Sequence, residues 1–310
     1  MVEKIVQLAP MLGLIDAPFM NAIAKVGGFD EIFAPYMLAD ERSIPKPQVI
    51  TRRFSEIGKH VNLVPQLLSN NANAFVAMAN ILYDLGYPKV NWNMGCPIKF
   101  VVEKGRGAAL LRNLQQLERL LDDTLGHLKP ELSVKIRIGF DSPDEFPSII
   151  EVFNKFKINE LIIHSRTAIQ QYSGEPYRKT FIDLAGSSLN PIVYNSDIFC
   201  ASDTATIDLP NLKGYMIGRG AITNPYIGLQ IKKLPTNTAL PFRQFHNQIA
   251  EWYNKRGGSN CLNRQKELWK YFSKAFENPS DVFNRLKSID NTDLFTATVD
   301  EIFDNYKLVI

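Results

Sequence analysis

Residues 93–97 read Asn-Met-Gly-Cys-Pro, a thiol set between the residue that most frees a backbone and the one that most restricts it. The stretch closes the short apolar run 90–94, so Cys96 falls where a buried strand should end. A cysteine there is either a small packing residue or a reagent. Cys96, Cys200 and Cys261 are the three cysteines of the chain; they are far apart and form no Cys-x-x-Cys pair, which speaks against a disulfide framework and against a zinc site. There is no His-Glu-x-x-His, no Gly-x-Ser-x-Gly and no suitably spaced carboxylate pair, so hydrolytic chemistry is poorly served.

Other β-like runs end on polar or turn-forming residues in the same way: Pro10 and Met11, Gln66, Asn93, Lys135 and Arg137, His164 and Arg166, Asn195 and Asp197, Gly218 and Arg219. Each has a bland reading. Lys135 could snorkel to water from a strand end, and His164 could be a satisfied interior histidine. Gln66 and Asn195 offer amides that suit either a core hydrogen bond or the edge of a heterocycle. The glycines around Arg219 serve simple turns as readily as a phosphate corner. Gathered at one mouth, however, amides, a lysine, a thiol and a phosphate corner suit a flat phosphorylated cofactor better than hydrolysis.

Eight β-like runs must position these groups: 5–11, 29–38, 62–69, 89–95, 132–140, 160–167, 191–198 and 214–221. Helical patterns lie between them, clearest at 71–86, 113–128 and 144–157, with Asn71 and Ser142 as start signals and Gly86 as a stop. Alternation of this kind means parallel pairing through crossover helices. Eight units predict an α/β fold, a (β/α)8 TIM barrel, with its site at the C-terminal strand ends. An open doubly wound sheet is the alternative, but neither Gly-x-Gly-x-x-Gly after the first strand nor a P-loop occurs. Residues 232–241, punctuated by Pro235 and Pro241, read as a linker. From Phe242 onward the apolar spacing is helical, which predicts a small all-α C-terminal domain. The expected domains are therefore 1–235 and 242–310.

A hydrophobic content of 45% and a net charge of +3 are ordinary for a globular chain and too small to announce a nucleic-acid partner. The charge is uneven: between Lys255 and Lys287 eight basic residues face three acidic ones. Arg264, Lys266, Lys270 and Lys274 fall mostly on one helix side, interleaved with Trp269, Tyr271 and Phe272. That pattern suits a solvated face or a phosphate-tracking surface. The N-terminus lacks a signal-peptide core and no apolar run reaches membrane length. With reduced thiols, a cytoplasmic protein without membrane or metal partners is expected.

In order along the chain, "LAPM" (8–11), "PQLLSN" (65–70), "NMGCP" (93–97) with "KGRGAALLRN" (104–113), "VKIRIGFD" (134–141), "IIHSRT" (162–167) and "MIGRGA" (216–221) resemble the tRNA-dihydrouridine synthases. The resemblance runs from about Leu8 to the end of the chain, and the Asn-x-Gly-Cys-Pro segment is its most specific part. It implies a catalytic barrel (1–235) that binds FMN and a helical bundle (242–310) that binds tRNA, acting as a monomer, with NADPH reducing the FMN. Carried over by position, Cys96 matches the proton donor. Pro10, Met11, Leu12, Gln66, Lys135, His164, Asn195, Ser196, Asp197, Gly218 and Arg219 match the FMN positions. Asn93 matches a contact to the target uracil; Arg137, Arg166, Arg264, Lys266, Lys270 and Lys274 are expected on the tRNA side. Ser196 and Ser165 stand where the family commonly has small residues, and the Ser196 hydroxyl could add a phosphate contact. The stretch 263–276 looks most like the bacterial subgroup acting on position 16 of the D-loop.

The chemistry agrees with that resemblance. Hydride addition at C6 of uracil leaves negative charge at C5 and O4, and an acid must then protonate C5. An ordinary thiol, pKa about 8.5, keeps its proton near neutral pH and can serve; the expected role is a neutral donor rather than an attacking thiolate. The base must leave its stack, which costs on the order of a few kcal/mol, and phosphate contacts from the basic tail would offset that. Two other readings stay open: an FMN oxidoreductase acting on a small metabolite such as a dihydropyrimidine, and a tRNA-binding protein without catalysis. The presence of Cys96, Lys135 and His164 argues against the second.

Overall fold

A computed structural model describes residues 3–310. Its strands are β1 (Ile5–Leu8), β2 (Glu31–Phe33), β3 (Met37–Leu38), β4 (Leu63–Val64), β5 (Gln66–Leu68), β6 (Lys89–Met94), β7 (Glu131–Gly139), β8 (Glu160–Thr167), β9 (Ile192–Asn195) and β10 (Leu212–Ile217). All pairings are parallel, in the order β3-β5-β6-β7-β8-β9-β10-β1-β2-β4. β2 and β3 are two pieces of one extended segment, and so are β4 and β5. The β2–β4 and β3–β5 ladders therefore join the two ends of that order, and eight segments close into a (β/α)8 barrel. The breaks fall at Pro35 and Pro65, where a ring replaces the N–H a ladder needs. The Pro65 carbonyl still accepts from Asn91 N at 2.9 Å.

Three runs are shorter than their composition suggests. The first strand stops at Leu8; residues 9–16 form a loop that turns at Met11, whose carbonyl accepts from Leu14 N and Ile15 N at 3.1 and 3.0 Å. The seventh stops at Asn195 and the eighth at Ile217, after which Arg219–Thr223 is a helical turn rather than strand. A short apolar run does not carry its own period, so its ends are set by the turns that follow.

The helices begin where side-chain caps are available. Asn71 accepts from Ala74 N at 2.8 Å, Asn113 accepts from Gln116 N at 3.0 Å, and Ser142 forms a capping box with Glu145. Buried faces then press them on the barrel: Phe75 of helix Ala72–Asp84 stacks on Trp92 of β6 at 3.7 Å, which fixes the strand that ends at Asn93. At the opposite end of the barrel, where the strands begin, a charged floor closes the interior. Lys89 Nζ lies 2.5 Å from Glu31 and 3.1 Å from Glu160, Lys213 lies 2.7 Å from Glu160, and Gln7 Nε2 donates to both glutamates.

Four further helices, Phe242–Arg256, Ser259–Phe272, Pro279–Lys287 and Thr292–Asn305, follow the barrel. The first, second and fourth, with Phe276 between helices, supply an aromatic core of Phe242, Phe245, Trp269, Phe272, Phe276 and Phe303, with neighbouring ring centroids 5.4 to 6.1 Å apart. Trp269 and Phe272, interleaved with the basic residues in the sequence, are thus core residues and not part of an exposed stripe; their spacing is that of a buried face. Among the described residues no helix is long and apolar enough to cross a membrane.

Candidate active site

A single cavity of about 420 Å³ opens at the C-terminal ends of the strands. The loop after β1 brings Pro10, Met11 and Leu12 to it; β5 brings Gln66; β6 and its turn bring Asn93 and Cys96; β7 brings Lys135 and Arg137. His164 enters from β8, Asn195, Ser196 and Asp197 from the end of β9, and Gly218 and Arg219 from beyond β10. Every cofactor position named from the sequence faces this one space.

The turn at Cys96 is held from three sides. Asn93 Oδ1 accepts from Gly95 N and Cys96 N at 3.2 and 2.9 Å, so one side chain caps the turn. That amide is oriented by a buried row beneath it: Asn93 Nδ2 donates to Gln66 Oε1, Gln66 Nε2 to Asn91 Oδ1, and Asn91 Nδ2 to Ser133 Oγ, all at 2.7 to 2.8 Å. Arg137 Nε donates to Gly95 O at 2.8 Å. Behind the cysteine, Ala108 N donates to Cys96 O at 3.0 Å, and Gly107, at φ +59, leaves no room for a side chain, since a Cβ would lie 2.7 Å from Cys96 O. The rest of this loop is tied down as well: Arg106 pairs with Asp40, and Asn70 Nδ2 donates to Lys104 O at 3.0 Å. The downstream Gly-Arg-Gly-Ala run is the back wall of the thiol.

Burial raises the Cys96 thiol above its ordinary value, against weaker opposing pulls from the Ile98 amide, Arg137 and Lys135, so it holds its proton at neutral pH. Burial, with the like charge of Arg137, brings Lys135 down to about 7. Among the described residues its amine has neither an ion-pair nor a hydrogen-bond partner. His164 is driven well below the usual histidine range by burial and by Arg137, Lys135, Arg166 and Arg219 around it, and stays neutral. Burial would raise Asp197, but Arg166 and Arg219 more than reverse this and keep it ionised. Its Oδ1 accepts from Arg166 at 3.0 Å and Arg219 at 2.5 Å, and its Oδ2 from Arg166 at 2.5 Å. The site is a cationic pocket with one carboxylate in it.

Two arginines differ from their sequence reading. Arg166 does not line the cavity or face RNA: it is 3% exposed, and its guanidinium is spent on Asp197 and on Gly174 O. The register of β7 against β8 jumps between Arg137↔His164 and Gly139↔Thr167, an extra residue that turns Arg166 into the wall. Arg137 lines the cavity but is anchored, with Nη1 donating to Thr167 O and Gln171 O at 2.7 Å each. On the C-terminal helices, Lys270 and Lys274 are exposed and Lys266 half-buried, while Arg264 Nη1 donates to Gly13 O at 2.5 Å. The strand-end reading missed Tyr36, Tyr172, Phe199 and Tyr271, which also line the cavity. Tyr172, 61% exposed, sits over Arg137 and Arg219 with its ring 5.3 and 5.9 Å away.

A parallel (β/α)8 barrel with such a mouth defines an enzyme of the barrel class. The backbone is like that of the old yellow enzyme from Trypanosoma cruzi, with TM-score 0.55 and 9% identity over 81% of this chain and 94% of that one; this likeness concerns the fold alone. Residues 7–308 match the family described as Dihydrouridine synthase (Dus). The chain is 30% identical over 80% of its length to a probable tRNA-dihydrouridine synthase of Rhodobacter capsulatus, covering 78% of that protein. It is 26% identical over 91% of its length to the tRNA-dihydrouridine(16) synthase of Vibrio vulnificus, covering 92% of that protein. The chain belongs to the dihydrouridine synthase family.

Proposed function

We propose that this enzyme reduces a uridine of the tRNA D-loop to 5,6-dihydrouridine, with FMN held in the barrel mouth, NADPH as electron source and Cys96 as the acid. The residues present fit the cofactor. Lys135 is a half-buried amine with no counter-charge, and the Ser196 hydroxyl is buried without a hydrogen-bond partner, which leaves open places for the acceptor atoms of a bound flavin. Ser196, the Gly218–Arg219 turn and the Asn195–Asp197 amides would hold the phosphate; Lys135, His164, Gln66 and the 10–12 loop would hold the ring system. Asp197 contributes by fixing Arg219, because its carboxylate is already shared between two guanidiniums.

When bound and reduced, the flavin supplies the hydride that adds at C6 of the uracil. Everything else falls to the chain. Asn93 and Arg137 fix the turn, so the direction of the Cys96 side chain is set before substrate arrives. The thiol proton passes from Sγ to C5, and Lys135 and Arg137 oppose the charge left on sulfur. The second Nδ2 proton of Asn93, with Arg137 nearby on the same wall, offers a donor to the uracil carbonyls. The single observation carrying this reading is a thiol kept protonated by burial in the same cavity as an uncompensated cationic corner. Several relatives are named for position 16, which supports that position here, and exposed Lys270 and Lys274 suit the RNA backbone. The test is anaerobic: flavin reduced on the protein should be reoxidised by unmodified tRNA transcript, with dihydrouridine mapped at position 16. Reoxidation by free dihydropyrimidine precursors but not by tRNA would replace this reading with the small-metabolite one.

A further inference from the structure

The C-terminal helices touch the barrel where its first loop turns. Arg264, on helix Ser259–Phe272, donates Nη1 to Gly13 O at 2.5 Å. Gly13 has φ +87, a conformation that favours glycine, and it brings the loop carbonyl within reach of that guanidinium. Three residues on, Asp16 accepts a hydrogen bond from the Tyr253 hydroxyl of helix Phe242–Arg256. Tyr253 is 3% exposed, and this is its tie to the loop. Met11 and Leu12 lie between β1 and the first tie and Leu14 between the two, all on the cavity wall. The Met11 Sδ packs at Gly218, where it would stand 3.1 Å from an added Cβ. Helix Ser259–Phe272 also packs on the turn Arg219–Thr223 and sends Tyr271 into the cavity.

We propose that Arg264 and Tyr253 are positioning residues for the cofactor: they hold the 10–14 loop against the Gly218–Arg219 corner, so that the C-terminal helices complete the flavin site as well as face RNA. The inference rests on the flavin reading above. It follows that the Arg264 guanidinium serves the loop carbonyl first. It also follows that truncation at residue 242 would not separate RNA binding from flavin binding, because both ties to the loop go at once and the Phe19–Phe245 contact, at 5.5 Å, is stripped.

The test uses the full chain, freed of flavin and titrated with FMN by the visible spectrum, alongside thermal unfolding and tRNA binding. Arg264→Ala should weaken FMN binding about tenfold, the effect of removing one charge-assisted hydrogen bond, and shift the bound-flavin spectrum while the melting curve stays cooperative. Arg264→Lys, which keeps a donor, should restore most of the affinity. Tyr253→Phe should show a smaller weakening of the same kind. FMN affinity and spectrum unchanged in Arg264→Ala and Tyr253→Phe, with tRNA binding alone reduced, would overturn the inference and leave the flavin reading intact. A wild-type chain that binds no FMN would overturn both.

Discussion

The two ends of the barrel bury charge in opposite ways. At the floor, Lys89 and Lys213 meet Glu31 and Glu160, each group within 3.1 Å of an opposite charge. Burial alone would neutralise these groups, yet Glu160 and Glu31 raise Lys89, and the two lysines lower Glu160; the cluster holds itself ionised. At the mouth, Lys135, Arg137, Arg166 and Arg219 gather around one carboxylate, Asp197, which pairs with Arg166 and Arg219 alone; burial together with these like charges pulls the lysine down to about 7 and keeps the histidine neutral. Charges that cancel inside the protein are structure. Charges left over, at a cost to the fold, mark where something anionic belongs.

Substitutions at the two ends should therefore diverge. Cys96→Ala should lower tRNA reduction by about 10²–10⁴, the range for removal of a positioned acid, with flavin retained; turnover near wild type would remove the thiol from the chemistry. Lys89→Met leaves Glu31 without its ion pair and Glu160 with Lys213 alone, and should cost about 3 kcal/mol of stability by chemical denaturation, the low end for breaking a buried pair, with FMN affinity of the folded protein unchanged. Lys135→Met, the matching change at the mouth, should act with the opposite sign: a melting temperature equal to or above wild type, because a like charge is relieved, and FMN affinity down about tenfold.

The same lysine gives a pH signature. The ring system's acceptor atoms bind the protonated amine, which burial brings down to about 7 in the free protein. Below that pH the amine is already charged. Above it a proton must be taken up, so FMN affinity should fall with rising pH by up to about tenfold per unit, and Lys135→Met should flatten the profile. The smallest effect is on the tail: Lys270→Ala with Lys274→Ala should reduce the salt slope of tRNA binding by about one for each phosphate no longer neutralised, read by titration at several salt concentrations.

How much of this is legible in the sequence follows from where each residue sits. Residues at strand ends, such as Asn93, Lys135, His164 and Asn195, are placed by periodicity, because parallel strands in a barrel bring their ends together. The start caps at Asn71 and Ser142 are equally local. Tyr172 and Phe199 are not legible, because they lie in loops whose path no period records. Tyr271 is hidden for a different reason: it reaches the cavity from a helix far along the chain from the strand ends on the opposite wall. The burial of Arg166 depends on one extra residue in the β7–β8 ladder, which alternation alone would place at the mouth. Trp269 and Phe272 show that an aromatic stripe reads the same whether it faces RNA or a core.

The most direct test of the uncompensated mouth compares FMN with riboflavin, which lacks the phosphate, by calorimetry on the flavin-free protein at pH 8 in buffers of different ionisation enthalpy. FMN should bind about a hundredfold tighter, as for two charge-assisted contacts of its phosphate at the Ser196 and Gly218–Arg219 corner, while both flavins take up a proton at Lys135, which faces the ring system. Equal affinity for the two, and no proton taken up with either, would contradict a mouth built around spare positive charge.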